Sequence, residues 1–415
     1  MRIAFNFRKI DPTRGGAETY AADLVRRLVA AGHEVAVYGE SCLPGALPPG
    51  ATFHPVAAPG VFRWQQTWNF ARNSEQALRA ADAAHAFDAS LGLINTWHHD
   101  VLIPQGGVHG ASLDCNARRF PSRIGRTAYR LGKQLNPKAW VYRAIEARQY
   151  NPATGAGRVV AVSELVRGHL GRYHRVPAER VTLIPNAIDA ARLSVPDPAA
   201  SRAELRAELG LPTDATVALF VGHNYELKGL RPLLQGLRHR LRRNPKAAPI
   251  HLIACGGGKP ARFARLARHL GLQSQVHFLG FRPDIRPCFH ASDFFVSPTY
   301  YDPCSLVVFE ALACGLPVIT TACNGAGEQI RQGREGFVIP RPDAMDHLAD
   351  ALDRLSDAAT RRAMAEHAAR LGREQTLDRH VARLVAVLEE AAATRQASRP
   401  RQRPFLGHRA MVCGW

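Results

Sequence analysis

The sequence predicts an α/β protein made of two doubly wound domains that face each other across a cleft. Three observations support this prediction: short apolar runs alternate with amphipathic helical patterns, the alternation stops and restarts near residues 188–200, and 415 residues exceed what one core usually holds. Such alternation is typical of parallel sheets covered by helices on both faces. Ligands bind beyond the carboxyl ends of the strands in these sheets, so both domains should present their loops to the cleft.

Each half of the chain holds six apolar runs that predict strands. They span residues 2–7, 34–39, 84–87, 101–105, 159–163 and 181–186 in the first half, and 216–222, 250–256, 276–281, 294–298, 317–321 and 336–340 in the second. Helix patterns such as 17–31, 230–242 and 261–270 lie between them. Pro196-Asp-Pro198 interrupts the alternation, so we predict domains at 1–188 and 189–375, then a long helix pattern and a basic tail at 395–415.

The composition is ordinary for a globular protein apart from its charge. Hydrophobic residues make up 46% and charged residues 21% of the chain, and we expect no transmembrane helix because no apolar run is long enough. The chain opens on a strand pattern without the features of a secretion signal, and its eight cysteines form no CxxC pair. We therefore expect a cytoplasmic protein with reduced thiols and no metal site. The net charge of +19 predicts a polyanionic partner.

The most informative stretch runs from Tyr300 to Thr321. Asp302 stands eight positions before Glu310, a helix pattern links them, and that helix ends at Gly315 before a buried strand. Free backbone N–H groups at the start of the helix form a ready anion site. One carboxylate therefore lies just ahead of an anion site, and the other lies two turns along the helix. This order fits a sugar nucleotide, which offers sugar hydroxyls, a diphosphate and then ribose hydroxyls.

This stretch resembles the E-x7-E signature of family-4 retaining glycosyltransferases, with Asp302 in the first acidic place and Glu310 in the second. Other segments resemble family motifs in the same order, namely the opening strand and glycine loop at 1–7 and 14–18, the interdomain linker at 184–189 and the phosphate-binding strand end at 221–229. The resemblance covers residues from about 1 to 394 and is greatest with the type that adds glucose to the inner core of lipopolysaccharide.

The resemblance implies a fold, a reaction and a domain organisation. The fold would be GT-B, and the reaction a metal-independent, retaining transfer from a nucleoside-diphosphate sugar, with a UDP-sugar as the expected donor and no cofactor. The N-terminal domain would bind the acceptor and the C-terminal domain the nucleotide sugar. The helix at about 376–394 would pack back on the first domain.

The resemblance also implies roles for the residues of the acidic motif. Asp302 would contact hydroxyls of the donor sugar, and Glu310 would contact the ribose hydroxyls. The amides around Cys304, Ser305 and Leu306 would hold the diphosphate as it leaves. The family usually has Glu in the first acidic place. Asp302 therefore implies either a loop about 1.5 Å nearer to the sugar, roughly one C–C bond, or a different sugar preference.

The loop after the strand at 216–222 carries the cation expected at the leaving diphosphate. Family members commonly place an Arg and a Lys five positions apart here, whereas this chain has His223 and Lys228. Lys228 is the predicted partner of the diphosphate. His223 would share this role, with Asn224 or a nearby arginine as alternatives. Gly15 and Gly16, which follow the first strand, would let the backbone approach the donor closely.

Three further strand ends supply candidate residues. Gly256 and Arg282 follow two strands of the second domain and should border the nucleobase. The segment 105–110 follows a strand of the first domain. Related enzymes often use a His in this region to contact the donor sugar or the reacting centre, so the resemblance makes His109 the candidate. Asp100 and His98 are the alternatives to His109.

Residues 115–150 combine a strong positive charge with scattered apolar side chains. They carry nine Lys or Arg and one acid, Glu146. This composition predicts a helix pair lying in an anionic membrane interface, with a solvated basic face as the alternative reading. The residues expected to meet lipid headgroups are Arg118, Arg119, Arg123, Arg126, Arg130 and Lys133. At about 1 kcal/mol for each basic residue near the surface, half of these charges would support reversible attachment.

Together these features predict a monomeric enzyme, peripheral on the cytoplasmic face of a bacterial inner membrane. It would move a hexose from a nucleotide sugar to a glycolipid acceptor such as lipopolysaccharide core. The alternatives are a GT-B enzyme acting on a soluble acceptor or a nucleic acid, and a sugar-nucleotide epimerase. Nucleic acid suits the net charge, but the apolar component of residues 115–150 favours a membrane surface.

Overall fold

The computed structural model describes residues 1–151 and 153–398, and it confirms the predicted class of two doubly wound, parallel α/β domains. The first half of the chain forms strands β1 (Arg2–Asn6), β2 (Lys9–Ile10), β3 (Glu34–Gly39), β4 (Ser41–Cys42), β5 (Ala51–Pro55), β6 (Ala89–Gly92), β7 (Val101–Leu102), β8 (Arg158–Ala161) and β9 (Val181–Leu183). Its helices are α1 (Gly16–Ala30), α2 (Arg63–Ala83), α3 (His109–Ala117), α4 (Arg123–Gln134), α5 (Pro137–Gln149) and α6 (Glu164–His174).

The second half repeats the alternation. Its strands are β10 (Thr216–Val221), β11 (Ile250–Cys255), β12 (Val276–Gly280), β13 (Phe294–Ser297), β14 (Val318–Thr321) and β15 (Gly336–Ile339). Its helices are α7 (Pro198–Glu208), α8 (Leu230–Arg243), α9 (Pro260–His269), α10 (Arg286–Ala291), α11 (Leu306–Ala313), α12 (Met345–Ser356), α13 (Ala358–Glu374) and α14 (Leu377–Ser398). Most of its strands are apolar runs that the sheet buries on both faces, as parallel sheets require.

The strand orders are those of doubly wound sheets. The first sheet runs β5-β3-β1-β6-β7-β8-β9 and the second runs β12-β11-β10-β13-β14-β15, with parallel pairing throughout both. A separate pair, β2 and β4, lies beside the first sheet. In each sheet the first strand of the half has neighbours on both sides, so the loops after β1 and β10 leave from the middle of the sheet, where ligands of this fold class bind.

One predicted strand lies in a different place, and the short strands β2 and β4 and the longer strand β5 were not predicted. The strand expected at 84–87 lies at Ala89–Gly92, because α2 continues to Ala83 and the chain turns through His85, whose φ is 55°, before pairing with β1 begins. The strand Ala51–Pro55 was not predicted. It is an edge strand with mostly exposed side chains, so it lacks an apolar run.

The last helix, α14, packs against α1 and the first sheet. The hydroxyl of Tyr20 on α1 lies 2.7 Å from Nε2 of His380 on α14, and the other ring nitrogen of His380 lies 2.8 Å from the carbonyl oxygen of Pro185. Most of the predicted basic tail, from residue 399 onward, lies outside the described residues. Within the described part of the chain, no helix has the length and apolar character needed to cross a bilayer.

The two halves are joined by hydrogen bonds across the cleft. The carboxylate of Glu328 accepts from the backbone N–H groups of Glu164 and Leu165 at 2.8 and 2.7 Å, so a residue of the second half caps α6 of the first. The hydroxyl of Ser163 donates to the carbonyl of Pro303 at 2.6 Å. Because Pro303 follows Asp302, this contact holds the acidic motif against the first sheet.

Candidate active site in the interdomain cleft

The turn between β10 and α8 places a lysine beside the first acidic residue. Gly229 begins α8 with a φ of 85°, and a Cβ there would lie 1.9 Å from the carbonyl oxygen of Pro298. Only glycine fits such a turn. The turn brings Nζ of Lys228 into contact with Oδ2 of Asp302. Asp302 is buried and Lys228 is partly exposed, so the ammonium group faces the cleft over the carboxylate.

The helix α11 starts at Leu306, four residues after Asp302. The side-chain oxygen of Asn324 accepts from the backbone N–H of Ser305 at 3.2 Å and from that of Ala326 at 3.1 Å, which fixes the two loops together. The first helical residue, Leu306, has no acceptor inside the helix for its N–H. The carbonyl of Cys304 accepts from Asn186 at 2.7 Å, and burial raises the pKa of the Cys304 thiol. The Cys304 side chain is therefore structural, whereas the helix start keeps donors for an anion.

A cavity of about 360 Å³ lies in the cleft along the first turn of α11, where Leu306 lines it. Glu310 also lines it, about one turn after the helix start. Burial raises the pKa of Glu310 to about 7, while nearby Arg192 opposes this rise and Asp23 adds to it. The volume lies within the range typical of small-ligand sites. The three aspartates that also line the cavity are paired with arginines, whereas Glu310 forms no salt bridge within the described residues and can accept hydrogen bonds from a ligand.

Other residues of this cavity were missed by the sequence analysis. Asp284 and Arg286 come just after β12, and Asp189 and Arg192 belong to the linker between the halves. Their position after a strand end or a linker motif is the signal that could have found them. Arg286 pairs with Asp284 at 2.7 Å, so its charge is already compensated.

Gly15, Gly16 and His223 meet across the cleft. A Cβ on Gly15 would lie 3.7 Å from Nε2 of His223, and a Cβ on Gly16 would lie 3.4 Å from a side-chain carbon of Leu306. The glycine loop of the first half therefore touches both the loop after β10 and the start of α11. The exposed ring of His223 also stacks on Phe281, with 6.3 Å between the ring centroids.

Gly256 and Arg282 lie at neighbouring strand ends of the second sheet. Gly256 has a φ of 122°, and a Cβ there would lie 2.1 Å from the carbonyl oxygen of Gly222, so the loops after β10 and β11 are in backbone contact. The guanidinium of Arg282 donates to Glu208 of α7 at 2.6 Å. The side chain of Arg282 is thus engaged with Glu208, and its backbone groups are the part that a nucleotide could contact.

The candidates from the first domain differ in their placement. His109 begins α3, and its neighbour Val108 donates its backbone N–H to the hydroxyl of Tyr301 at 3.0 Å, which brings His109 close to the acidic motif. Asp100 is not in the cluster. It lies just before β7, at the amino end of a parallel strand and hence at the sheet edge away from the cleft, where it binds Arg395 and Ser90. In the alternative candidate His98, Nε2 of the ring lies 3.5 Å from Oδ2 of Asp82.

Residues 115–150 form parts of three helices, α3, α4 and α5, rather than the predicted pair. α4 buries no residue. Ile124 is 83%, Leu135 78% and Trp140 62% exposed. A second, unpredicted group of exposed apolar residues lies just before and at the start of α2 and includes Val61 and Phe62.

The six basic residues predicted for the membrane do not all point outward. Arg118, Arg123 and Arg130 are exposed, whereas the other three are partly buried. Arg126 donates to the carbonyl oxygens of Phe120 and Pro121, and Arg130 pairs with Asp114 at 3.0 Å. The remaining two, Arg119 and Lys133, line a second cavity. Helix geometry spreads the charges around α4, so composition alone overstated the number available on one face.

Within residues 1–151 and 153–398, no group of three or more His, Cys, Asp or Glu side chains is arranged to hold a metal ion.

Two family models match the chain. Residues 14–192 match the model for glycosyltransferase family 4, and residues 201–371 match the model for glycosyl transferases group 1. The chain is 28% identical over 365 residues to a D-inositol 3-phosphate glycosyltransferase of Streptomyces bingchenggensis, covering 81% of this chain and 76% of that protein. It is 27% identical over 406 residues to the protein of the same name from Thermobispora bispora, covering 91% and 90%.

Solved structures with the same architecture include three relevant examples. WaaG, a glycosyltransferase involved in lipopolysaccharide biosynthesis, aligns with a TM-score of 0.75 and 23% identity over 93% of this chain and 99% of that one. Sucrose-phosphate synthase from Thermosynechococcus elongatus aligns with a TM-score of 0.72 and 21% identity, over 95% of this chain and 99% of that one. HepE of Anabaena in complex with UDP-glucose aligns with a TM-score of 0.64 and 18% identity, over 96% of this chain and 100% of that one.

The fold is therefore GT-B, with two Rossmann-like domains and a cleft between them. The chain belongs to the glycosyltransferases of group 1 and family 4, as its motifs predicted.

Proposed function

We propose that this glycosyltransferase moves a hexose from a UDP-sugar to a lipid-linked glycan, of which lipopolysaccharide core is one example, with retention at the anomeric carbon. Three groups in the cleft support the donor half of the proposal: the contact between Lys228 and Asp302, the open start of α11, and Glu310 in its cavity. Their order along the cleft matches sugar, diphosphate and ribose. HepE, which shares the fold, has been seen with UDP-glucose.

In the proposed reaction the protein stabilises the leaving diphosphate without a metal. Lys228 and the N–H groups at the start of α11 would receive the negative charge that develops as the anomeric C–O bond breaks. Asp302 would hold the sugar hydroxyls. The acceptor hydroxyl would then form the new bond on the face that the diphosphate leaves, and its proton would pass to a diphosphate oxygen.

The exposed apolar surface of α4 and α5 carries the lipid half of the proposal. Ile124, Leu135 and Trp140 stand in water beside exposed Arg118 and Arg123. Apolar side chains flanked by arginines suit an interface with anionic headgroups. This surface would seat the enzyme on the cytoplasmic face of the inner membrane, as a monomer.

Vesicle binding tests this reading. The protein should bind vesicles with about 30% anionic lipid and not purely zwitterionic ones. Ile124→Ser combined with Leu135→Ser should weaken binding at least about tenfold, because each side chain loses about 1.5–3 kcal/mol of burial. Leu43→Ser, at an exposed leucine outside these helices, is the matched control. Equal binding by all three proteins would contradict the membrane assignment.

A soluble acceptor is the second candidate. The relatives named D-inositol 3-phosphate glycosyltransferase support this candidate, because their name gives a soluble phosphate as the acceptor and their matches span most of the chain. Supplying UDP-glucose with D-inositol 3-phosphate or with a truncated lipopolysaccharide separates the two candidates. Transfer to the soluble phosphate alone would overturn the lipid-linked acceptor while leaving the donor assignment intact.

A further inference from the structure

A second cavity, of about 240 Å³, lies between the helices α3 to α5 and the loop after β10. Its polar lining includes His109, Arg119, Lys133 and Lys138 from the first half of the chain, and Asn224 from the second. It shares no lining residue with the cavity at Glu310. The two cavities are therefore separate places for ligand groups on the same cleft.

The cations of this cavity lack counter-ions. Arg119, Lys133 and Lys138 form no salt bridge with any carboxylate of the described residues, whereas Arg130 on the same helix as Lys133 pairs with Asp114. Arg119 and Lys133 are instead placed over the ring of Tyr129, each 5.6 Å from its centroid. Three positive charges thus converge on one cavity without being neutralised by the protein.

One polar atom of a residue that lines this cavity has no partner within the described residues. Nε2 of His109 is buried and has no hydrogen-bond partner. The ring is fixed by stacking on Tyr142, with 5.4 Å between centroids, and the backbone N–H of His109 donates to Glu146 at 2.7 Å. A buried ring nitrogen without a protein partner is costly, and a ligand group or a water can supply the missing hydrogen bond.

The cavity adjoins the reacting centre. Leu227, which lines it, precedes Lys228. His109 follows Val108, whose N–H bonds the hydroxyl of Tyr301, the residue before Asp302. A molecule in this cavity would therefore lie near the pair formed by Lys228 and Asp302, one residue away along the chain from Lys228.

We propose that this cavity binds a phosphate group carried by the acceptor. A phosphomonoester brings a charge of about −1.5 to −2 and three acceptor oxygens, which suits Arg119, Lys133 and Lys138 together. This inference rests on the proposed function, because it takes the donor to occupy the cavity at Glu310 and leaves this one for the acceptor. It holds for a phosphate on a soluble sugar or cyclitol and for one on a lipid-anchored glycan.

Inorganic phosphate is the first probe. Its binding is followed by ³¹P line broadening in protein saturated with UDP, so that the donor site is filled. Lys133→Ala should weaken phosphate binding about tenfold or more, because a charge-assisted hydrogen bond is lost, while the affinity for UDP stays unchanged. Lys133→Arg should restore most of it. Arg123→Ala removes an equal charge from α4 outside the cavity and should change phosphate affinity less than about twofold.

Two further arms identify the source of the phosphate. Glucose 6-phosphate represents a soluble phosphomonoester, and vesicles containing phosphatidic acid represent a lipid one. Binding of either that depends on Lys133 supports the subsite and names its source.

Phosphate binding that is equal in the parent, Lys133→Ala and Arg123→Ala proteins would overturn the subsite. UDP that displaces phosphate would also overturn it, since both would then share the donor site. Failure to bind UDP-glucose, with phosphate binding still dependent on Lys133, would overturn the donor assignment and not this one.

Discussion

The two sides of the cleft are built in different ways. On the second domain, the groups that would meet a donor come from loops at the ends of adjacent parallel strands, and glycines with forced backbone geometry set their positions. On the first domain, the groups around the second cavity come from side chains on α3, α4 and α5, which lie outside the sheet.

The site on the second domain is therefore positioned by the backbone, and the site on the first domain is positioned by side chains. A turn such as that at Gly229 admits few alternatives, so the positions of Lys228 and Asp302 follow closely from the fold. Helices on the outside of a sheet tolerate many sequences. The donor side should therefore be similar across glycosyltransferases of this fold, and the acceptor side should define what this chain recognises.

The largest expected effect is on the donor side. Lys228→Ala should lower kcat about 100- to 1000-fold, because a cation aimed at the developing charge of the leaving diphosphate is lost. Steady-state transfer or donor hydrolysis measures this effect. If donor chemistry is set by the second domain, the affinity for acceptor should be unchanged.

Asp302 complicates that experiment, because removing Lys228 leaves a buried carboxylate without its partner. The double variant Lys228→Ala, Asp302→Asn removes both charges and should restore the stability measured by thermal unfolding, but not activity. A folded Lys228→Ala protein with more than about half of the parent activity would exclude Lys228 from the chemistry.

A smaller effect concerns the titration of Glu310. Its raised pKa of about 7 means that the free enzyme holds a protonated carboxyl below pH 7 and a carboxylate above it. A carboxylate accepts hydrogen bonds from both ribose hydroxyls, so UDP-glucose should bind more tightly as the pH rises, by about tenfold between pH 6 and pH 8. UDP-glucose suits this measurement because its diphosphate diester does not titrate in that range.

The charge-neutral variant Glu310→Gln should remove the pH dependence and bind at all pH values about as weakly as the parent does near pH 6. Calorimetry in buffers of different ionisation enthalpy should also show proton release when the parent binds UDP-glucose near pH 7, because ribose hydroxyls would favour the carboxylate. A pH profile that is the same in parent and variant would place the titration elsewhere.

The sequence predicted the fold and the loops at the strand ends better than the arrangement of α3, α4 and α5, and the reason is physical. Buried parallel strands are continuous apolar runs, so most were visible, whereas the edge strand Ala51–Pro55 has exposed side chains and no such signature. The proximity of Lys228 and Asp302 follows from two strand ends that adjoin in the sheet. Asp100 was misplaced because it precedes its strand instead of following it.

The acceptor side depends on helix rotation, which composition does not specify. Residues 115–150 were visible as basic and partly apolar, but which charges reach water depends on the direction of each side chain. Arg130 turns to Asp114, and Lys133, three positions later, lines the second cavity. Such contacts between separate helices are set by packing and leave no local pattern in the chain.

The smallest expected effect concerns Arg282, which the sequence placed at the nucleobase. Its guanidinium pairs with Glu208 of α7 at 2.6 Å, and both side chains are partly exposed, so the pair contributes at most about 1 kcal/mol to stability. If the backbone builds the donor side here, Arg282→Ala should leave the dissociation constant of UDP-glucose within about twofold of the parent value. Glu208→Ala, which frees the guanidinium without removing it, is the matched control. A tenfold loss in Arg282→Ala with no loss in Glu208→Ala would show that the side chain leaves Glu208 to bind the nucleotide, and the donor side would then depend on side chains as much as the acceptor side does.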